Sequence, residues 1–446
     1  MIENYIIAGG NVLLPEGLKH VDIEIRDGVI SGIGQKIAHD GSHQVINAEG
    51  ELVLPGFIDI HTNGIAGFDL TNGDYDLRNR RFLSNAEAYA AGIDRALRKY
   101  AERGVTRAIL TSMASPIEEL KRAFGFVHAY TVASASSPWK DVLGGLYIEG
   151  TFMKLADYSG AHNPDYFNKP SVSLFDGLQE AAGGIIKIVN VVPEWGDAAI
   201  KLIEYMYSRG IVCAAGHTGA SGSQYGRAMK AGTKLAIHFL NGPTGSSFKP
   251  FEEGGAVESV LRASNLFVEV ITDGYHVDKS YAMDTISRKG PDKIVIVTDS
   301  MFVTCLDEIE TFSIFGVDGK VNSNRDFVEV ASKPNTLFGS LLTMDVAFSN
   351  ILNWMTNPVE GVWRDIHEPF SLDQAIAMAS GMCSKNPATV LGIFEPASEG
   401  QKSEMRSYTG SIEIGKSADL LVARLDRPDG KYKLKIEKVY VKGREI

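Results

Sequence analysis

Eight short β-branched runs, each followed by a stretch with helical spacing, constrain this chain more than any other feature. They are Phe57–His61, Arg107–Ser112, Gly145–Glu149, Ile185–Val192, Ile211–His217, Leu235–Asn241, Phe267–Asp273 and Ile294–Asp299, with helical stretches such as Ala86–Ala101, Asp197–Ser208 and Ser280–Ser287 between them. Apolar strands alternating with helices are the mark of parallel βα units. Eight units over about 250 residues is the arithmetic of a (β/α)8 TIM barrel. A doubly wound open sheet is the alternative, but no glycine-rich dinucleotide fingerprint follows the first strand.

The two ends of the chain have a different rhythm. Tyr5–Ala8, Val21–Ile25 and Val29–Ile33 read as strands, the last two joined by an Asp27-Gly28 hairpin signal. Asp419–Ala423 and Leu434–Val441 look alike and flank a turn at Pro428-Asp429-Gly430. Two separate β modules would each be too small for a comfortable core. The expectation is one small β-sandwich domain built from both termini, residues 1–55 plus 386–446, around a catalytic barrel over 56–385. Val303–Pro334 reads as an excursion after the eighth strand, and Val346–Met355 and Leu372–Met382 as closing helices.

Charge and cysteine usage narrow the function class. Lys and Arg total 44 against 55 Asp and Glu, a formal charge of −11, which argues against a nucleic-acid partner. Three cysteines without close pairing fit a reducing compartment. No signal peptide is legible and no apolar run approaches the roughly 20 residues that span a bilayer, so the expectation is a cytoplasmic protein without a membrane partner.

Strand after strand ends in a titratable residue: His61, Glu149, His217, His238, Asp273 and Asp299. In a barrel those ends converge on one face. Imidazoles and carboxylates gathered there suit a divalent metal with an open position for water. Each residue also has a plain reading. A lone histidine at a strand end is usually a satisfied polar residue, but Glu149, His217 and His238 on three separate strands favour ligation. Asp299 is either an N-cap or a general base. Asp59, on the same strand face as His61, stays open between structure and function, and Asp273-Gly274 reads as a turn. Lys187, mid-strand, is a structural ion-paired lysine or a carbamylated metal bridge. Cys213 is a small core residue. No serine-hydrolase elbow and no P-loop occur.

The motifs then match a known pattern. Pro55-Gly56-Phe57-Ile58-Asp59-Ile60-His61 resembles the first-strand signature of the amidohydrolase superfamily. In order follow Tyr147-Ile148-Glu149-Gly150-Thr151-Phe152, Gly160-Ala161-His162-Asn163-Pro164, Gly216-His217-Thr218, His238-Phe239-Leu240-Asn241, Asp273-Gly274-Tyr275-His276, Val297-Thr298-Asp299-Ser300-Met301, Gly339-Ser340-Leu341-Leu342-Thr343-Met344 and Gly415-Lys416-Ser417-Ala418-Asp419-Leu420. Together they resemble the N-acetylglucosamine-6-phosphate deacetylase family over nearly the whole chain.

The resemblance implies a barrel with a β-sandwich, and a metal-dependent hydrolase of an amino-sugar phosphate. Glu149, His217 and His238 would hold one tight divalent ion, zinc by expectation, with His61 as an extra ligand. Asp299 would take a proton from the attacking water and later give it to the leaving amine. His162 would polarise the acetamide carbonyl, and His276 with the backbone of Asn241-Gly242 would bind sugar and phosphate. The chain departs from the pattern at four places. Asn63 stands where the two-metal members carry a second histidine, and Thr151 follows Glu-Gly in place of proline. Asn241-Gly242-Pro243 replaces Asn-Ala-Met, and Lys249 aligns with the phosphate-binding arginine. That basic residue reaches the neighbouring subunit in the family, which implies a homodimer. The alternatives are an amidohydrolase of another N-acylated amino sugar or a cyclic amide, and a non-catalytic sugar-phosphate-binding barrel.

Overall fold

In the computed structural model the eight runs form a single parallel sheet, ordered as they occur in the chain. The strands are β1 (Phe57–Thr62), β2 (Val105–Ser112), β3 (Leu143–Phe152), β4 (Ile186–Val191), β5 (Val212–Ala215), β6 (Thr233–Ala236), β7 (Phe267–Ile271) and β8 (Ile294–Val297). The structure describes residues 4–38, 44–133, 137–241, 244–395 and 408–446. Helices α1 (Ala86–Glu102), α2 (Ile117–Ala133), α3 (Val172–Ala181), α4 (Asp197–Tyr207), α5 (Gly222–Ala231), α6 (Ala256–Arg262), α7 (Lys279–Lys289) and α8 (Met344–Met355) follow the strands one for one.

Local chemistry sets these elements. In α1, Asn85 accepts the Ala88 N–H through Oδ1 at 2.9 Å, capping the first turn, and Tyr89, Ile93, Ala96, Leu97 and Tyr100 line one buried stripe. Ser221 and Gln224 close a capping box on α5. β8 is Ile-Val-Ile-Val, buried throughout because helices cover its outer face and side chains fill its inner one.

The ends of β1 and β8 are tied directly. The Asp299 N–H donates to the His61 carbonyl at 2.8 Å, and the Asn63 and Gly64 N–H groups donate to the Ser300 carbonyl at 2.9 and 3.0 Å. Below them the buried Asp59 accepts the Thr298 hydroxyl at 2.6 Å and the His61 N–H at 3.2 Å. Asp59 is therefore a clasp between first and last strands, which decides the choice left open in the sequence.

Both ends of the chain pair in a second sheet. Its order is Arg444–Glu445, Lys433–Val441, Leu420–Asp426, Leu52–Pro55, Tyr5–Leu14, Gly17–Arg26, Val29–Gly34, with Gln44–Asn47 also pairing with Tyr5–Leu14. Val53 lies opposite Val422, and the Tyr5 hydroxyl donates to the Gly443 carbonyl at 3.0 Å.

The sequence did not reveal a small four-stranded antiparallel sheet within residues 64–83, whose strands are only two to four residues long. The excursion after β8 folds as three antiparallel strands, Thr311–Ile314, Val317–Val321 and Val328–Val330. The two insertions share an aromatic core of Tyr75, Phe82, Phe302, Phe312 and Phe338. That core stands beside the strand ends and supplies one wall of the site.

Candidate active site

A cavity of about 270 Å³ opens at the carboxyl ends of the strands, and Glu149, His162, His217, His238, His276 and Asp299 all line it. β5 and β6 stop earlier than their apolar runs suggest, so His217 and His238 lie two residues past the strands. His217, Leu240 and Asp299 have φ values of 54°, 66° and 49°, a left-handed conformation that ends extended pairing and turns side chains over the mouth. Non-glycine residues held there cost of order 1–3 kcal/mol each, and such positions cluster at functional sites.

Glu149, 3 % exposed, is the hub. Its Oε1 lies 2.9 Å from His238 Nε2 and 3.3 Å from His217 Nε2, and its Oε2 lies 3.3 Å from His162 Nε2 and 3.4 Å from His61 Nε2. Burial alone would raise its pKa, but the surrounding imidazoles, led by His61, hold this carboxyl well below the usual range. Asp299 Oδ1 is 3.5 Å from His61 Nε2 and accepts the Asn63 side-chain N–H at 2.5 Å.

The second nitrogen of each ring assigns its role. His217 Nδ1 faces the Tyr158 carbonyl at 2.9 Å and His238 Nδ1 the Asn241 carbonyl at 2.9 Å. Carbonyls only accept, so both rings carry hydrogen on Nδ1, and in the neutral form each turns an Nε2 lone pair inward. His61 does the same, with Nδ1 2.9 Å from Glu269 Oε2. His162 is reversed: its Nδ1 accepts the Ala114 N–H at 3.1 Å, so in the neutral ring the hydrogen sits on Nε2, facing the cavity.

This donor set fits a divalent ion. His217 and His238 Nε2 lone pairs meet at 3.2 Å, a repulsive approach that a shared cation relieves. His61 Nε2 is buried without a hydrogen-bond partner. Two groups have ligand spacing, His61 with Glu149 and His238, and Glu149 with His162 and His217, the second including the ring whose Nε2 carries hydrogen. Burial lowers the His217 pKa to about 4, keeping a neutral ligand. Burial opposes charge on His61 and His238 too, but Glu149 raises both, with Glu269 adding to His61.

Two glycines admit close approaches that a side chain would block. A Cβ on Gly150 would lie 2.2 Å from the Ala114 nitrogen, the donor to His162. A Cβ on Gly160, where φ is +56°, would lie 2.8 Å from His217 Cε1.

The remaining residues singled out in the sequence divide. His276 lines the cavity, with Nδ1 2.5 Å from Asp273 Oδ2, so Asp273 orients His276 as well as making its turn. Asn241 lines the cavity and Gly242 lies outside the described residues. Lys249 is exposed and does not line the cavity of its own chain. Lys187 points outward and is exposed, so it is not a buried bridge. Cys213 is buried, its thiol directed at the Ile203 carbonyl. Glu269 escaped notice in the sequence, although a lone carboxylate inside Phe267-Val268-Glu269-Val270-Ile271, a strand buried on both faces, is itself a signal.

Comparison with known proteins adds to this geometry. The pattern of the amidohydrolase family matches residues 52–446. The N-acetylglucosamine-6-phosphate deacetylase of Bacillus subtilis (strain 168) is 27 % identical over 414 residues, 92 % of this chain and 90 % of that one. The N-acetylgalactosamine-6-phosphate deacetylase of Escherichia coli O157:H7 is 25 % identical over 94 % of both chains. Among solved structures, a mutant N-acetyl-D-glucosamine-6-phosphate deacetylase from Mycobacterium smegmatis in complex with N-acetyl-D-glucosamine-6-phosphate superposes with a TM-score of 0.77. It is 21 % identical and 99 % of each chain is covered, a likeness of fold.

Proposed function

This chain belongs to the amidohydrolase family, and from that premise we propose that it hydrolyses the acetamide of N-acetylglucosamine-6-phosphate to glucosamine-6-phosphate and acetate. The observation that carries the reading is the reversal of His162 among the imidazoles around Glu149. Three rings offer lone pairs for an ion and the fourth offers an N–H, so the same cluster binds a metal and polarises a carbonyl.

Amidohydrolases are metal-dependent, and Glu149, His217, His238 and His61 would hold a divalent ion, read here as one zinc. When bound, such an ion would lower the pKa of water towards about 7 and so supply the nucleophile that an unactivated amide requires. Asp299 takes the proton of the attacking water and returns it to the departing nitrogen, because an amine leaves poorly unless protonated. His162 Nε2–H donates to the acetamide oxygen as negative charge develops there. His276, oriented by Asp273, and Asn241 with Gly242 bind the sugar.

Lys249 completes the phosphate site from a neighbouring subunit, which makes the working form a homodimer. Its exposure on a segment beside the exposed Phe248 and Phe251 supports that reading. The scaffold is read as a closed (β/α)8 barrel over 56–385 with a β-sandwich of 1–55 and 386–446. Three free cysteines favour the cytoplasm. Among the described residues no helix is long and apolar enough to cross a membrane.

Acetate release after chelation and zinc readdition, from N-acetylglucosamine-6-phosphate, its galactosamine epimer and unphosphorylated N-acetylglucosamine, tests the assignment. The first substrate is expected to give the highest kcat/KM. Equal values with and without phosphate overturn the phosphosugar, and preference for the epimer moves the assignment to that sugar.

A further inference from the structure

Glu269 sits in the middle of β7, fully buried, and none of the family motifs in this sequence includes it. One of its oxygens does two things. Oε2 accepts the His61 Nδ1–H at 2.9 Å and the backbone N–H of His238 at 3.1 Å, so a single carboxylate oxygen reaches two of the rings that surround Glu149. Its other oxygen, Oε1, has no hydrogen-bond partner.

The consequence falls on His61. With its hydrogen drawn to Nδ1, the ring presents a bare Nε2 between Glu149 Oε2 at 3.4 Å and Asp299 Oδ1 at 3.5 Å. A bare lone pair facing two carboxylate oxygens in a buried site is unfavourable, and either a proton on Nε2 or a metal ion between them relieves it. Residue 63 brings no second imidazole to this strand end, and the Asn63 side-chain nitrogen is a donor spent on Asp299.

We propose that Glu269 is a positioning residue that fixes His61 in the Nδ1–H tautomer and so makes it a ligand of the same ion that Glu149, His217 and His238 bind. This rests on the metal-dependent reading above. The arrangement is a carboxylate–histidine–metal relay, in which the outer carboxylate sets ring orientation and ligand basicity. It explains how a chain with one imidazole on β1 keeps a full ligand set for one ion.

The test measures metal, not turnover. Purified wild type, Glu269→Gln, Glu269→Asp, His61→Asn and the double variant His61→Asn with Glu269→Gln are titrated with zinc against a fluorescent chelator. The cobalt-substituted forms are compared by visible absorption. Glu269→Gln is expected to weaken zinc binding about 10–100-fold and to shift the cobalt spectrum as His61→Asn does. Glu269→Asp, which keeps the charge but draws it back from the ring, should fall between and remains informative if Glu269→Gln does not fold. In the His61→Asn background, Glu269→Gln should change affinity less than twofold. Unchanged affinity in both Glu269 variants overturns the proposal, as does a full loss that persists without His61. No substrate enters the titration, so Glu269-dependent zinc binding without acetate release would sink the proposed reaction and leave this inference standing.

Discussion

The side-chain N–H of Asn63 donates to Asp299 Oδ1 at 2.5 Å, joining the ends of β1 and β8 across 236 positions of sequence. Both residues are buried, and Asp299 holds a left-handed backbone that leaves its carboxylate dependent on neighbours for orientation. A hydrogen bond to a charged group contributes about 1.5–3 kcal/mol. Asn63→Leu, which keeps the volume and removes the donor, is therefore expected to lower kcat about 10–100-fold with little change in KM. Asp299→Asn removes the proton acceptor itself and should cost more, about 10²–10⁴-fold, with zinc content retained in both. Steady-state kinetics with metal analysis check the pair. An Asp299→Asn enzyme of near wild-type rate would end the proton-shuttle assignment.

The glycine at 150 carries a second expectation. Its missing Cβ lets the Ala114 amide approach, and that amide fixes the tautomer of His162. Gly150→Ala must displace the β2 end by more than an ångström or distort β3, at a cost of about 1–3 kcal/mol from overpacking. Because the displaced group is the His162 donor, kcat should fall by at least tenfold beyond what lost stability explains at temperatures where the variant is folded. Thermal melts beside kinetics separate the two effects. A destabilised Gly150→Ala with unchanged kcat would show that the Ala114 contact is dispensable.

What the sequence made legible follows from where each signal was stored. The strands were readable because each is a short apolar run and its neighbours in the sheet are its neighbours in the chain. His217 and Asp299 were readable as strand ends, but the left-handed turns that lift them past β5 and β8 were not. The division of labour among the histidines was available only through the family resemblance, because the contacts behind it join partners distant in sequence. Ala114 fixes His162 from 48 positions away and Glu269 fixes His61 from 208. Glu269 itself was missed because attention went to strand ends, whereas its burial comes from the middle of β7. The sheet over 64–83 was invisible because strands of two to four residues leave no periodicity to count.

Lys249 offers a test that depends on assembly. It is exposed and does not line its own chain's cavity. If it serves a neighbour, Lys249→Ala should raise KM for phosphorylated substrate about tenfold, the loss of roughly 1.4 kcal/mol, and leave kcat and unphosphorylated substrates unchanged. Lys249→Arg should retain or improve binding, since the guanidinium adds a bidentate fork for phosphate. Sedimentation accompanies the kinetics, because the effect requires a dimer. A monomeric enzyme with full phosphate preference would remove Lys249 from the site.

Asp69 gives the pH dependence of stability a defined sign. Its Oδ1 accepts the Thr71 N–H at 2.9 Å, the Asn72 N–H at 2.8 Å and the Asn72 side chain at 2.7 Å, while Oδ2 is buried without a partner. Burial outweighs these bonds and raises the pKa from 3.8 to about 6. Between those values the folded protein binds more protons at this group than the unfolded chain, so stability falls as pH rises. The contribution of the protonated form is complete below pH 3.8 and lost as pH passes about 6. Asp69→Asn mimics that protonated form at every pH. Relative to the variant, wild type should therefore lose about 2 kcal/mol between pH 4 and pH 7. The difference in urea midpoints across that range measures it and cancels groups common to both proteins. A difference that stays constant from pH 4 to 7 would mean that Asp69 keeps an ordinary pKa despite its burial.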